Sequence, residues 1–354
     1  MENKFNRYSY KIDVQPSGSR EKTVDNSAKI QFNKRNWDTK YDIIINRSAM
    51  QFVDIGGTLM IRHRLNKVTS LEGFVYLVPA VSIFLFFIVG PALFVLGISF
   101  FHYNILNSVS SRFTGLANYH QVFTTEAFWR SLLNTLYFII GTVPTGTFFA
   151  LFIALVLMNK FTGRGIVRVG VFAPYVTPVV ATSIIWIWIL NPQFGLANGI
   201  LHAFRLPEVG WLQSPRWAMV GVVLYTLWHG VGFNVVIFMA GLSSISAELR
   251  EAARIDGANR WQEFQKVIWP LLSPTTVFIL IITTITSVQA FTQFYTMTQG
   301  GPINATTTTS YLLYQQAFLF FHTSYAAALA VILFLIIIGL TLVQTQVVRT
   351  NTGN

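Results

Sequence analysis

Residues 248–274 read ELREAARIDGANRWQEFQKVIWPLLSP. Eight charges fall within this stretch: Glu248, Arg250, Glu251, Arg254, Asp256, Arg260, Glu263 and Lys266. Long apolar segments free of charge lie on both sides of it. A polar, helix-prone stretch set between such segments is either a spacer or a docking surface.

The local chemistry predicts helix, turn, helix. Ser246 is a good N-cap, and Glu248 and Glu251 sit near the positive end of the helix that follows. Leu249, Ala252 and Ala253 form a small, mostly apolar patch that lets another backbone come close. Gly257 supplies a C′ stop. Asn259 can cap a second helix, with Gln262 at N3 to reach back. Trp261, Phe264 and Ile268 follow at i, i+3 and i+7, and Pro270 interrupts the run into the next apolar segment. A bare interfacial anchor would show bulky apolar residues and basic flanks. The Ala pair, the Gly turn and the balanced charges fit a protein contact better.

Composition sets the class. Of 354 residues 53% are hydrophobic and 11% are charged, under half of the roughly 25% usual in soluble domains. There is no cysteine, which excludes disulfides and thiol chemistry. The net charge of +11 is uneven: 13 of the 25 Lys and Arg lie in residues 1–70. The basic residues flank apolar spans, so they report membrane topology rather than nucleic-acid binding.

Residues 1–70 read as a polar, basic, largely flexible cytoplasmic tail, with no apolar run of signal-peptide length. Residues 41–45 read as a short strand, and residues 52–60 form a second patch able to order locally. Six spans follow within residues 71–350, at about 74–101, 132–158, 169–190, 217–241, 267–290 and 325–348. None holds Asp, Glu, Lys or Arg, and His229 is the one residue in them of a type that titrates near neutral pH. Prolines 79, 91, 144, 174 and 178 fall inside spans and predict kinks whose freed carbonyls face protein or water.

Lys/Arg counting orients the chain. With the N-terminus inside, the inner segments carry 21 basic residues and the outer loops 4; without the tail the ratio is still 8 to 4. The expected architecture is therefore an all-α integral membrane protein. It has six transmembrane helices, both termini cytoplasmic, and the opening stretch on the cytoplasmic side between spans four and five. In the outer loops, Asn191-Pro192 and Gln299-Gly300-Gly301-Pro302 carry turn chemistry.

The spacing Glu251-Ala252-Ala253, three residues, Gly257, nine residues, Val267-Ile268-Trp269-Pro270 resembles the EAA motif of permease subunits from bacterial ABC importers. Val267 stands where that family usually has Ile, and Trp269 where it usually has Leu. The resemblance spans roughly residues 70–350 and leaves the tail outside. Ile255-Asp256-Gly257-Ala258, together with residues 113–123, 172–180 and 297–302, looks like the carbohydrate group, and most like the first permease subunit of the maltose type. Gln299 stands where Gly is commoner, and Thr292 where many relatives have Asp. The outer loops are too short for the large periplasmic insertion found in some relatives.

The resemblance implies a multi-pass subunit of the bacterial cytoplasmic membrane. It would assemble with a second permease subunit, an ABC ATPase dimer and an extracytoplasmic solute-binding protein. Glu251, Ala252, Ala253, Asp256 and Gly257 would form the coupling helix seated on the ATPase. ATP and Mg would be used there; this chain has no G-x-x-x-x-G-K-[ST] phosphate loop and calls for no cofactor of its own.

A sugar path through lipid calls for uncharged donors and acceptors plus aromatic faces inside apolar spans. Tyr175 lies between Pro174 and Pro178; Thr226, His229 and Gly230 lie mid-span in the fourth segment; Thr283, Ser287 and Gln289 lie in the fifth, with Gln293 beyond. By the same resemblance, Tyr175, Thr226, His229, Gly230, Thr283 and Ser287 fall where the maltose-type subunit meets sugar. Ser and Thr also join helices to one another, at about 1 kcal/mol per contact, so each has a structural role open to it.

Three alternatives remain. A related permease for another small polar solute, such as a peptide or amino acid, would make use of intramembrane charges, which the spans lack. An ion-coupled secondary transporter would typically show internal repeats and broken helices at the midplane; the sequence shows neither a convincing repeat nor an intramembrane acid, and His229 has no carboxylate partner in any span. A membrane enzyme would show H-E-x-x-H, a His/Cys cluster or paired intramembrane carboxylates, and the spans hold none.

Overall fold

The computed structural model describes residues 27–30, 43–46, 50–55, 58–63, 70–103, 111–159 and 161–352. The chain divides into two compact units, Met1–Val89 and Gly90–Asn354. In the first, β1 (Ser27–Ile30) pairs antiparallel with β2 (Ile43–Asn46), and β3 (Met50–Ile55) with β4 (Thr58–His63). The strand expected at 41–45 overlaps β2, and the patch at 52–60 is shared between β3 and β4. The rest of the stretch read as a flexible tail lies outside the described residues. Helix α1 (Ser70–Phe84) and a π-helical turn over 85–89 complete this unit.

The second unit opens with α2 (Gly90–Ile98) and the short antiparallel pair β5 (Phe101–His102) and β6 (Arg112–Phe113). The all-α expectation is amended to that extent: the chain is mostly helical, with two-stranded pairs besides. There follow α3 (Ala117–Thr124), α4 (Glu126–Met158), α5 (Arg164–Val176), α6 (Val179–Ile189), α7 (Leu196–Ala203) and α8 (Ala218–Ser243). The remainder is α9 (Ala247–Ile255), α10 (Arg260–Glu263), a π turn over 264–268, α11 (Trp269–Val288), α12 (Thr292–Met297), α13 (Thr309–Tyr314), a π turn over 315–319 and α14 (Thr323–Thr352).

Five continuous helical stretches are long and apolar enough to cross a membrane: Tyr76–Ile98, Glu126–Met158, Ala218–Ser243, Arg260–Val288 and Thr323–Gln346. They correspond to the first, second, fourth, fifth and sixth expected spans. The third, expected over 169–190 with kinks at Pro174 and Pro178, is broken between α5 and α6, which meet at 104°. Thr177 precedes Pro178, and the proline ring drives the preceding residue out of the α region. Thr177 is accordingly extended, at φ −81° and ψ 140°.

Pro270 does not stop its helix either. It lies two residues past the π turn over 264–268, where the widened helix carries the chain through without a break.

Helix α4 packs along α8 through small residues: Gly141 faces Val223 and Gly146 faces Leu227. Its buried hydroxyls meet other helices, Ser131 and Thr135 beside Thr309 of α13 and Thr142 beside Ser287 of α11. These hydroxyls also donate back to their own helix, as Thr135 does to Ser131 O at 2.8 Å and Thr142 to Phe138 O at 2.7 Å. Two apolar clusters lie along these helices. One joins Ala154, Leu157, Phe238, Leu242, Ile268 and Leu272; the other joins Phe138, Met219, Val222, Tyr225, Ala290 and Phe294.

Candidate functional site

A cavity of about 270 Å³ opens among α4, α5, α8, α11 and α12. That is near the lower edge of the roughly 300–1,000 Å³ common for small-molecule sites. Tyr175, Thr226, His229, Gly230, Thr283, Ser287 and Gln293 all line it, so seven of the eight residues singled out for a solute path stand together. Gln289 does not. Residues 283 and 287 share one helix face at i and i+4, whereas 289 is two positions further and points away. Gln289 is the exposed C-cap of α11. After that cap the chain turns into α12, which returns Gln293 to the cavity.

The break between α5 and α6 shapes one wall. It frees the Thr177 carbonyl, and His229 Nε2 lies 3.2 Å from it. A carbonyl can only accept, so this nitrogen carries the proton and donates. His229 therefore has a structural partner as well as a place on the cavity. Tyr225, one turn earlier on α8, donates to Val179 O at 3.0 Å and lies 2.9 Å from the Thr182 hydroxyl, which fastens the start of α6.

On the other limb, Tyr175 stacks on Phe233 with ring centroids 4.9 Å apart. The approach of α5 to α8 is close because position 232 is glycine. A Cβ there would collide with the Val171 carbonyl and come within 3.0 Å of Phe172 Cα.

Sequence reasoning missed Asn234, Thr142 and Thr286. All three lie in expected spans and line the cavity, the first two buried. Asn234 Nδ2 donates to Thr283 Oγ1 at 3.4 Å, and the Thr142 and Ser287 hydroxyls are 3.2 Å apart. The criterion applied to the other residues, a polar side chain within an apolar span, would have found them. Among the described residues the lining holds no Lys, Arg, Asp or Glu. What it offers is hydroxyls, amides, an imidazole and aromatic faces.

The second candidate is the elbow formed by α9 and α10. The Ser246 hydroxyl accepts the Leu249 N–H at 3.4 Å, as its N-cap role predicts. At the far end Gly257 has φ +84°. The Ala258 N–H reaches Ala253 O at 3.0 Å and the Gly257 N–H reaches Arg254 O at 3.1 Å, which together make a Schellman motif. Asn259 and Gln262 form the reciprocal capping box, both bonds at 2.9 Å. Glu251, Ala252, Asp256 and Gly257 are exposed and Ala253 is half-buried. Trp269, where the resemblance leads one to expect Leu, packs against Phe264, which in turn stacks with Trp261.

The residue of this elbow that the sequence did not single out is Glu263, only 3% exposed. Arg250 Nε donates to its Oε1 at 2.7 Å, and Arg254 Nε donates to its Oε2 at 2.9 Å. The hydrogen bond and the charge of Glu263 push the Arg254 guanidinium further up from its ordinary pKa. The signal was present as two arginines at i and i+4 on a short helix, but their partner lies beyond a turn.

Comparisons with known proteins place this geometry. Residues 146–351 match the family described as "Binding-protein-dependent transport system inner membrane component". The chain is 32% identical over 275 residues to the sulfoquinovosyl glycerol transport system permease protein SmoG of Agrobacterium fabrum, covering 78% of this chain and 89% of the relative. It is 31% identical over 280 residues to the trehalose/maltose transport system permease protein MalF of Thermococcus litoralis, covering 78% and 93%. Its fold resembles a chain of a bacterial alginate ABC transporter, solved in complex with an alginate pentasaccharide-bound periplasmic protein. There the TM-score is 0.71 at 22% identity, over 82% of this chain and 99% of that one.

Proposed function

Because the chain belongs to the family of binding-protein-dependent transport system inner membrane components, we propose that it is the sugar-conducting permease subunit of an ATP-driven importer. A neutral sugar or oligosaccharide is handed to it by an extracytoplasmic binding protein and passes through the cavity. The observation that carries this reading is the lining. Tyr175, Thr226, His229, Asn234, Thr283, Ser287 and Gln293 bring uncharged hydrogen-bonding groups and an aromatic face to one place, in spans without a formal charge. A polyhydroxylated solute can exchange its water for these groups, and no fixed charge needs to be desolvated. Relatives named for sulfoquinovosyl glycerol, which carries a sulfonate, and for trehalose/maltose support a carbohydrate; the uncharged lining favours a neutral one for this chain.

The second permease subunit supplies the facing wall of the path. With both termini cytoplasmic, as the Lys/Arg asymmetry favours, α9 faces the cytoplasm and docks on the ATPase, where ATP and Mg are used. Residues 1–70 lie on the cytoplasmic side. The chain itself carries out no covalent chemistry; it sits in the cytoplasmic membrane and couples a conformational change to passage.

The test is uptake. Cells with and without this chain are compared for accumulation of labelled neutral mono- and oligosaccharides, sugar phosphates and amino acids. Accumulation of a neutral sugar that depends on this chain is expected. Dependence confined to amino acids or anionic solutes, or uptake driven by an ion gradient with no ATPase partner, refutes the reading.

A further inference from the structure

Among the described residues Glu263 is the one charged side chain that is buried. Both of its oxygens are taken by Arg250 and Arg254, the latter also through Nη2 at 3.3 Å to Oε1. The two arginines stand one turn apart on α9, and Glu263 stands on α10 beyond the Gly257 turn. On a wheel of 100° per residue, Arg250, Ala253 and Arg254 share the side of α9 that meets α10. Glu248, Glu251, Ala252 and Ile255 share the opposite side, where Ile255 is 86% exposed. The ion pairs therefore hold one side of α9 and leave free the side that can meet a partner.

From Glu263 the helix continues without a break into α11. Phe264 packs on the apolar cluster, and Ile268 and Leu272 are part of it. A turn held by a glycine at φ +84° and two backbone hydrogen bonds is a pivot. Two charge-assisted contacts on one side of that pivot fix its angle.

We infer that Glu263 is a positioning residue that locks α9 to the base of the fifth span. A displacement of α9 then reaches α11 instead of being absorbed at Gly257. This inference rests on α9 being the ATPase contact.

The chain has no cysteine, so spin labels can be placed on Ile255→Cys in α9 and Phe278→Cys in α11 without background from this chain. The labelled chain is assembled with cysteine-free partner subunits. Distances are measured without nucleotide and with an ATP analogue that is not hydrolysed. With Glu263 in place, one narrow distance that does not change with nucleotide is expected. Glu263→Gln should broaden that distance and make it nucleotide-dependent while the ATPase still co-purifies. Arg254→Gln, at the exposed end of the contact, should do the same, and the double variant should add little beyond either single one. A distance in Glu263→Gln that keeps the original width and stays indifferent to nucleotide overturns the inference. So does a distance that already moves with nucleotide when Glu263 is present. Failure of the ATPase-contact reading registers separately, as a label on Ile255→Cys whose mobility is unchanged when the ATPase binds; that result removes the coupling role of α9 and this inference with it.

Discussion

Gly232→Ala tests the packing that builds the cavity wall. In the middle of α8, alanine gains about 1 kcal/mol over glycine from helix propensity. The new methyl, however, lands on the Val171 carbonyl and within 3.0 Å of Phe172 Cα. These are backbone atoms of α5 and cannot rotate aside, so the overpacking cost sits at the upper end of the usual range, about 3 kcal/mol. The net is about 2 kcal/mol against the native packing, or a fall of roughly 4–8 °C in apparent Tm for a domain of this size. The internal control is Gly230→Ala on the same helix, where a Cβ meets nothing within 4 Å. It keeps the propensity gain and should leave Tm unchanged or raise it. Size-exclusion profiles of the detergent-solubilised protein after heating would rank the three proteins. If Gly232→Ala proved as stable as Gly230→Ala, then α5 and α8 would not approach as closely as described, and the wall carrying Tyr175 and His229 would be misplaced.

Other outcomes follow from the same geometry. Gly257→Val should uncouple ATP hydrolysis from uptake while leaving the protein inserted, because a β-branched residue at φ +84° is strained by about 1–2 kcal/mol and shifts the elbow. Replacing the exposed Glu251 with a bulky side chain should do the same at the docking face; normal uptake and hydrolysis by both variants would end the coupling role of α9. Tyr175→Ala should alter sugar uptake, whereas Gln289→Ala should leave it near the parent value, since the first side chain lines the cavity and the second does not; the reverse pattern in a transport assay would refute the assignment of the path.

Much of the elbow was legible in advance. Ser246, Gly257, Asn259 and Gln262 act on backbone groups within a few residues, so their capping roles can be read along the chain and recur in the fold. The spans were legible for a similar reason: an uncharged apolar run of the right length has few stable alternatives in lipid. Pro178 announced a disturbance, but its direction was out of reach, because a 104° bend is stabilised by whatever meets the freed carbonyl. That partner, His229, lies 52 positions away from Thr177.

The order of residues is enough to show helices long and apolar enough to cross a membrane, spans free of formal charge, and a capped elbow between the fourth and fifth. Those properties follow from composition, run length and near-neighbour chemistry. Which polar residues meet emerges only on folding. Folding gathered Asn234 and Thr142 with the expected cavity residues, turned Gln289 outward, and closed Arg250 and Arg254 on Glu263. In lipid, protein-facing and lipid-facing sides of a helix are both apolar, so periodicity does not say which side faces inward. Pairing across a turn or between helices depends on distances that the order of residues does not contain.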